Sequence, residues 1–188
     1  MNPTRAEAWE VLKTYVAGDA LLKHCLAVEA AMAAYAEKFG SDPEYWGAVG
    51  LLHDVDFEKF ADDHPHHARE ILARHGCDDQ FITDVESHAR DWPHERSMLQ
   101  KTLLAVDELT GFIIACALVR PDRSLDNLEV KSVVKKMKDK AFARAVNRET
   151  IIHGAEAMGV DLKDHIEFVT HALAAAAKDP LGRGIALI

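Results

Sequence analysis

Apolar residues recur every three or four positions along nearly the whole chain, the period that gathers them on one face of a helix. No stretch alternates with the two-residue period of a half-buried strand, and no hairpin signal separates two such stretches. Thr4 and Glu7 have the spacing of a capping box, which predicts a first helix to about residue 17. Asp19 is placed to cap a second, which carries Leu21, Cys25, Val28, Met32 and Tyr35 and stops at Gly40. Ser41 or Asp42, followed by Pro43, opens a third through Trp46, Val49, Leu52 and His53. After a polar stretch from Glu58 to Asp63, Pro65 is expected to start a short helix ending at Gly76. Asp78 or Asp79 can cap the next, to about Arg90, before the loop Asp91-Trp92-Pro93-His94. A long apolar helix is expected from 97 to about 119, broken by Arg120-Pro121-Asp122. Ser124 to Asp126 offers a cap for a basic helix to about 140. Two more helices are expected near 148–158 and 162–178, with Gly159 between them and an extended tail over 179–188. The pattern predicts an all-α fold, one helical domain over residues 1–188.

Composition narrows the class. A chain of 188 residues, 48% apolar, can bury about 70% of its unfolded surface in one core. Its longest uninterrupted apolar run, 111–119, falls far short of the roughly 20 residues that span a membrane. No charged segment followed by an apolar run opens the chain, so a cytoplasmic protein without a membrane partner is expected. Cys25, Cys77 and Cys116 lie far apart with no CxxC, which argues against a disulfide framework or a cysteine zinc site. The net charge of −9 argues against nucleic acid as the main partner. The apolar helix over 103–119 suits either the core or an interface between copies, so the oligomeric state stays open.

Histidine is in excess: eleven in all, seven of them between 53 and 94. Several stand where a helical stripe calls for an apolar residue. His24 lies on Leu21–His24–Val28, His53 on Val49–His53–Phe57, and His64 at the start of His64–Ala68–Ile71–His75. His88 completes Phe81–Val85–His88, and Asp107 interrupts Leu103–Asp107–Ile114. Burying an unpaired imidazole costs a few kcal/mol and a carboxylate more, so such groups need partners. One of them alone reads as a satisfied core residue. Five in one small domain point to a divalent cation shared among imidazoles and carboxylates. His66, His67, His75 and His94 have no such support, and His153, His165 and His171 read as surface or boundary residues.

The ordered pattern His24, His53-Asp54, His64, His88, Asp107 resembles the HD-domain superfamily of metal-dependent phosphohydrolases. "LLKHCLAVEAAM" is similar to that family's first histidine helix and "GAVGLLHDVD" to its central His-Asp helix. "HPHHAREIL", "ITDVESHA" and "LLAVDELTGF" resemble the elements that follow, although Ala68 and Arg69 stand where glycine and alanine are common. The resemblance covers about residues 18–120, an HD-domain-like helical bundle, and 121–178 looks like the C-terminal helical extension of some bacterial members. It implies that His24, His53, Asp54 and Asp107 bind a principal metal. His64 and His88 would bind a second, with Asp54 bridging. Two departures stand out. "HDVDFEK" replaces the common His-Asp-Ile-Gly-Lys, so Lys59 comes later than the usual lysine. "SHARDWPHER" occupies the place of the His-x-x-Gly-Tyr-Pro element of cyclic-di-GMP phosphodiesterases, so that reaction is not supported.

The expected activity is therefore hydrolysis of a phosphate ester or anhydride, a nucleotide foremost, by metal-activated water. The alternative is a non-catalytic regulatory domain that binds a nucleotide through its metal. One or two divalent ions are expected; ligands without thiolate suit Fe, Mn, Ni, Co or Zn, and Mg less well. Asp54 sits at the reacting centre, Asp56 or Glu58 could position the water or protonate the leaving oxygen, and Lys59 could hold a phosphate. The segment 131–148 carries net charge +6 within the acidic chain. Lys131, Lys135 and Lys138 share a helix face opposite Val130–Val134–Met137–Ala141, which makes Lys131 and Lys135 candidate substrate contacts. No Gly-rich phosphate loop or aromatic cluster for reading a base is visible.

Overall fold

Most helices begin where a side chain takes over the free amides of the first turn. In the computed structural model, which describes residues 2–89, 91–178 and 185–188, Thr4 and Glu7 close the capping box of α1 (Arg5–Tyr15). Asp42 accepts the Glu44 amide ahead of Pro43 and starts α3 (Pro43–Leu52). Asp78 accepts the Phe81 amide for α6 (Asp79–Glu86). Asn147 accepts the amides of Glu149 and Thr150 for α9 (Arg148–Met158), which ends on Gly159 at φ 71°. The remaining helices are α2 (Asp19–Lys38), α4 (Phe57–Phe60), α5 (Ala68–Arg74), α7 (Met98–Leu118), α8 (Val130–Met137) and α10 (Leu162–Lys178). The described residues contain no strand, and none of their helices is long and apolar enough to cross a membrane.

The chain divides into two compact units, one up to Leu103 and the other from Leu104 onward, with the boundary inside α7. The first is organised around α2, whose Cys25, Val28, Met32 and Tyr35 are buried. α3 packs along α2, α1 and α6 pack on α3, and α5 packs on α6. Gly50 permits the closest approach: a Cβ there would stand 2.8 Å from Met32 Cγ and 3.2 Å from the Val28 carbonyl oxygen. In the second unit α8 and α9 pack on α10, and Gly154 of α9 lies against the backbone of Ala105 on α7. Ile151, Ile166, Val169 and Leu173 are buried there.

Several boundaries differ from those read off the sequence. Asp19 is the first residue of α2 rather than its cap; Gly18 takes the cap position without a side-chain bond. The polar stretch 58–63 is folded into α4 and a 3₁₀ turn, Ala61–Asp63. Pro65 does not open a helix. α5 begins at Ala68, because the preceding turn is tied down by Asp56, which accepts the His67 amide at 3.1 Å. α6 closes at Glu86, and the expected end at Arg90 lies outside the described residues. α8 starts only at Val130, since the Ser124 hydroxyl closes a local turn by accepting the Asp126 amide. Its buried residue is Val133, one position off the expected stripe, and Ala141 is exposed. Of the expected tail, 179–184 lies outside the described residues and 185–188 forms no regular element.

Gly50→Val places a branched side chain against Met32 and the Val28 carbonyl. It should cost about 1–3 kcal/mol, read as a lower urea midpoint with an unchanged slope.

Candidate metal centre

His24 stands on α2, His53 caps the end of α3, and Asp54 follows it. His64 and His88 do not lie on helices. His64 sits in the turn before α5 and His88 just beyond α6, so the helical stripes expected for them do not form there. His53 is fully buried, and the side chains of His24, His64 and His88 are 23%, 14% and 5% exposed. The group is therefore open to solvent chiefly at His24.

Three imidazoles are oriented the same way. His53 Nδ1–H donates to the Gly50 carbonyl at 2.8 Å, and His88 Nδ1–H to the Val85 carbonyl at 2.6 Å. His64 Nδ1–H donates to the Asp56 carboxylate at 2.6 Å. A carbonyl or carboxylate only accepts, so the proton is placed on Nδ1 and each Nε2 is turned inward. The inward nitrogens converge on Asp54. His53, His64 and His88 Nε2 lie 3.3, 3.1 and 3.8 Å from its Oδ1, and His24 Nε2 lies 3.6 Å from its Oδ2. The nitrogens also face one another, 3.2 Å between His24 and His53 and 2.9 Å between His64 and His88. Two lone pairs at such distances repel unless a proton or a cation stands between them. Asp54, His64 and His88 can each offer a ligand atom within 4.8 Å of the others, and the set suits a divalent cation of intermediate softness.

Without a cation a proton takes that place. Burial lowers the pKa of His64, but its hydrogen bonds to Asp54 and Asp56 outweigh this and push it up to about 9 from an ordinary 6.5.

The segments that carry these histidines are themselves held. Arg96 donates to the carbonyls of Ser87 and Ala89 on either side of His88, both at 2.9 Å. On α6, the buried Asp84 accepts from Tyr45 Oη at 2.8 Å and Gln100 Nε2 at 2.7 Å. Burial and the Asp84 carboxylate raise the Tyr45 pKa, so this phenol stays protonated.

The other expected site residues take the following places. Asp56 is fully buried, accepting from the His64 ring and the His67 amide. Glu58 accepts the amides of Ala17 and Gly18, the latter at 2.8 Å, and so ties down the residues just ahead of α2. Lys59 Nζ lies 4.7 Å over the Tyr15 ring. Asp107 is half-buried on α7, in the second unit. Lys131 pairs with Glu129 at 3.0 Å. Lys135 lines a cavity of about 760 Å³ in the second unit with Arg120, Ser132 and Lys136. Of the other histidines, His66, His94, His153 and His171 are exposed, His67 pairs with Asp63, and His75 bonds to Tyr15 Oη. His165 is buried, contrary to expectation, because its Nε2–H donates to the Ala105 carbonyl at 3.1 Å.

The family model for the HD domain matches residues 21–159. No curated protein and no solved structure matches the chain.

A histidine whose folded pKa is raised stabilises the fold fully below its unfolded value and not at all above its folded one. Chelator-treated protein should therefore lose stability as pH rises from about 6.5 to about 9. Asp56→Asn should flatten that loss in urea titrations across the same window; parallel curves would count against it.

Proposed function

Because the chain belongs to the HD-domain family, we propose that it is a metal-dependent phosphohydrolase that cleaves a phosphate ester or anhydride, with a nucleotide as substrate. One observation supports this reading above the others. Three imidazoles are locked with Nδ1 on fixed acceptors and Nε2 turned onto one carboxylate. That is the preparation a hydrolytic metal site needs and a structural core histidine does not.

His24, His53 and Asp54 would hold one divalent ion, as the family's sequence order implies. Asp54, His64 and His88 would hold a second. Such ions, when bound, acidify water and neutralise phosphoryl charge. The rest is work for the chain itself. Asp54 supplies the negative charge that draws in the cations, and these would keep the inward nitrogens from repelling one another. Asp56 fixes the tautomer of His64, while the Gly50 and Val85 carbonyls do the same for His53 and His88. Burial of His53 and His88 excludes water on the inner side, where charge–charge interactions are then stronger than in bulk. The partly exposed edge at His24 leaves a side by which substrate can approach. Asp56 acts in this scheme as a positioning residue. Glu58 and Lys59 fasten the turn beside the site, and Lys131 and Lys135 remain candidate contacts for an anion.

Metal analysis followed by a phosphoester panel with the best metal restored is the test. Bound transition metal and release of phosphate or a nucleotide are expected. His53→Ala and Asp54→Ala should each lower kcat/KM at least a hundredfold, and full activity in either would sink the assignment. Asp56→Asn should weaken metal affinity or activity roughly 10–100-fold, as loss of an outer carboxylate does. Nucleotide binding without turnover at any metal loading would favour the regulatory alternative. Lys135→Glu should raise KM at low salt and little at high salt if that lysine attracts the substrate.

A further inference from the structure

The helical turn after Asp56 treats its four residues in two ways. Glu58 and Lys59 fasten it, one to the amides of Ala17 and Gly18 and the other to the Tyr15 ring. Phe57 and Phe60 are left in water, 43% and 38% exposed. Three apart on α4, they lie on one side of the same turn. One exposed phenylalanine would need no explanation. Two on one turn, each backed by an imidazole, do.

Phe57 meets His64 edge-on, with ring centroids 5.2 Å apart and planes at 81°. Phe60 stacks on His67 at 3.9 Å and 15°. Asp56 accepts from His64 Nδ1 and from the His67 backbone amide, while the His67 ring pairs with Asp63 at 3.0 Å. The two rings are thus supported from behind by a rigid polar frame and offered to solvent in front. Phe57 borders His64, one of the residues that would hold metal and face phosphate, and Phe60 lies beside it on the same turn.

We propose that Phe57 and Phe60 form a stacking platform for a flat unsaturated ring of the substrate, which makes the substrate class a phosphoester or anhydride bearing a nucleobase. The platform deepens the phosphohydrolase reading and rests on it only for the phosphate end. Every nucleobase presents a π-face, so such a platform favours bases over bare sugars without selecting one base. Exposed apolar rings beside a charged, buried centre are what a ligand with an anionic end and an aromatic end would cover. A sugar phosphate or inorganic phosphate would leave both rings wet.

The test uses the full chain and compares AMP with ribose 5-phosphate, which share a phosphate and differ by the base. The wild type should favour AMP in kcat/KM, and Phe57→Leu with Phe60→Leu should reduce that preference about tenfold, mostly through KM. Phe57→Trp, which keeps an aromatic face, should retain it. Saturation-transfer NMR with adenosine, which has no phosphate and is not turned over, should show contact that the double leucine variant loses. Equal use of AMP and ribose 5-phosphate by the wild type, or adenosine contact unchanged without the rings, would overturn the platform. So would a change confined to oligomeric state, which would make the rings an interface between copies. Ring-dependent adenosine contact with no turnover of any phosphoester would keep the platform and remove the hydrolase reading. Turnover without preference for a base would do the reverse.

Discussion

Four imidazole nitrogens and a carboxylate are brought within reach of one another in the first unit, and the histidines at the back of the group have almost no access to water. In an apolar interior such a gathering is strongly unfavourable unless something positive lies among the lone pairs. A proton on His64 does this in part, which is why its pKa is lifted to about 9 despite burial. A divalent cation does it better, because one ion can satisfy several lone pairs at once and Asp54 faces all four rings. Much of the first unit can be understood as the scaffold that makes this gathering possible.

The scaffold works through close helix contact. Small residues along α2 and a glycine on α3 let the two helices approach until His24 and His53 face one another at 3.2 Å. The same Gly50 that admits Met32 of α2 gives its carbonyl to His53, so packing and ring orientation depend on one residue. A second level of support reaches His88 through the carbonyls on Arg96, and the Asp84 network braces α6 just ahead of it. Asp56 adds a further support: it aligns His64 and ties down the turn before α5 through the His67 amide.

Where a helix depends on its own neighbours in sequence, the sequence was enough. The Thr4–Glu7 box, the Asp42-Pro43 start, and the pair of helices separated by Gly159 all form as their local chemistry directs. His24 and His53 stand where a polar group on an apolar stripe was expected, whereas His64 and His88 lie in turns, which no helical period marks. What escaped depends on partners distant in the chain. Glu58 holds the amide of Gly18, forty residues earlier, and Gly18 takes the cap position that Asp19 was expected to fill. Asp56 is buried, with His64 and the His67 amide on its oxygens. His165 is buried because the Ala105 carbonyl, sixty residues earlier, accepts its proton. No periodicity marks Phe57 and Phe60 as exposed; the stripe through His53 placed Phe57 inside.

The central claim is that the inward histidine nitrogens exist to hold a divalent cation. X-ray absorption at the edge of the metal bound by the purified protein tests it most directly. The account predicts a first shell of nitrogen and oxygen with the outer-shell scattering of several imidazoles and no sulfur. A sulfur shell, or a metal surrounded by oxygen alone without imidazole scattering, would contradict it.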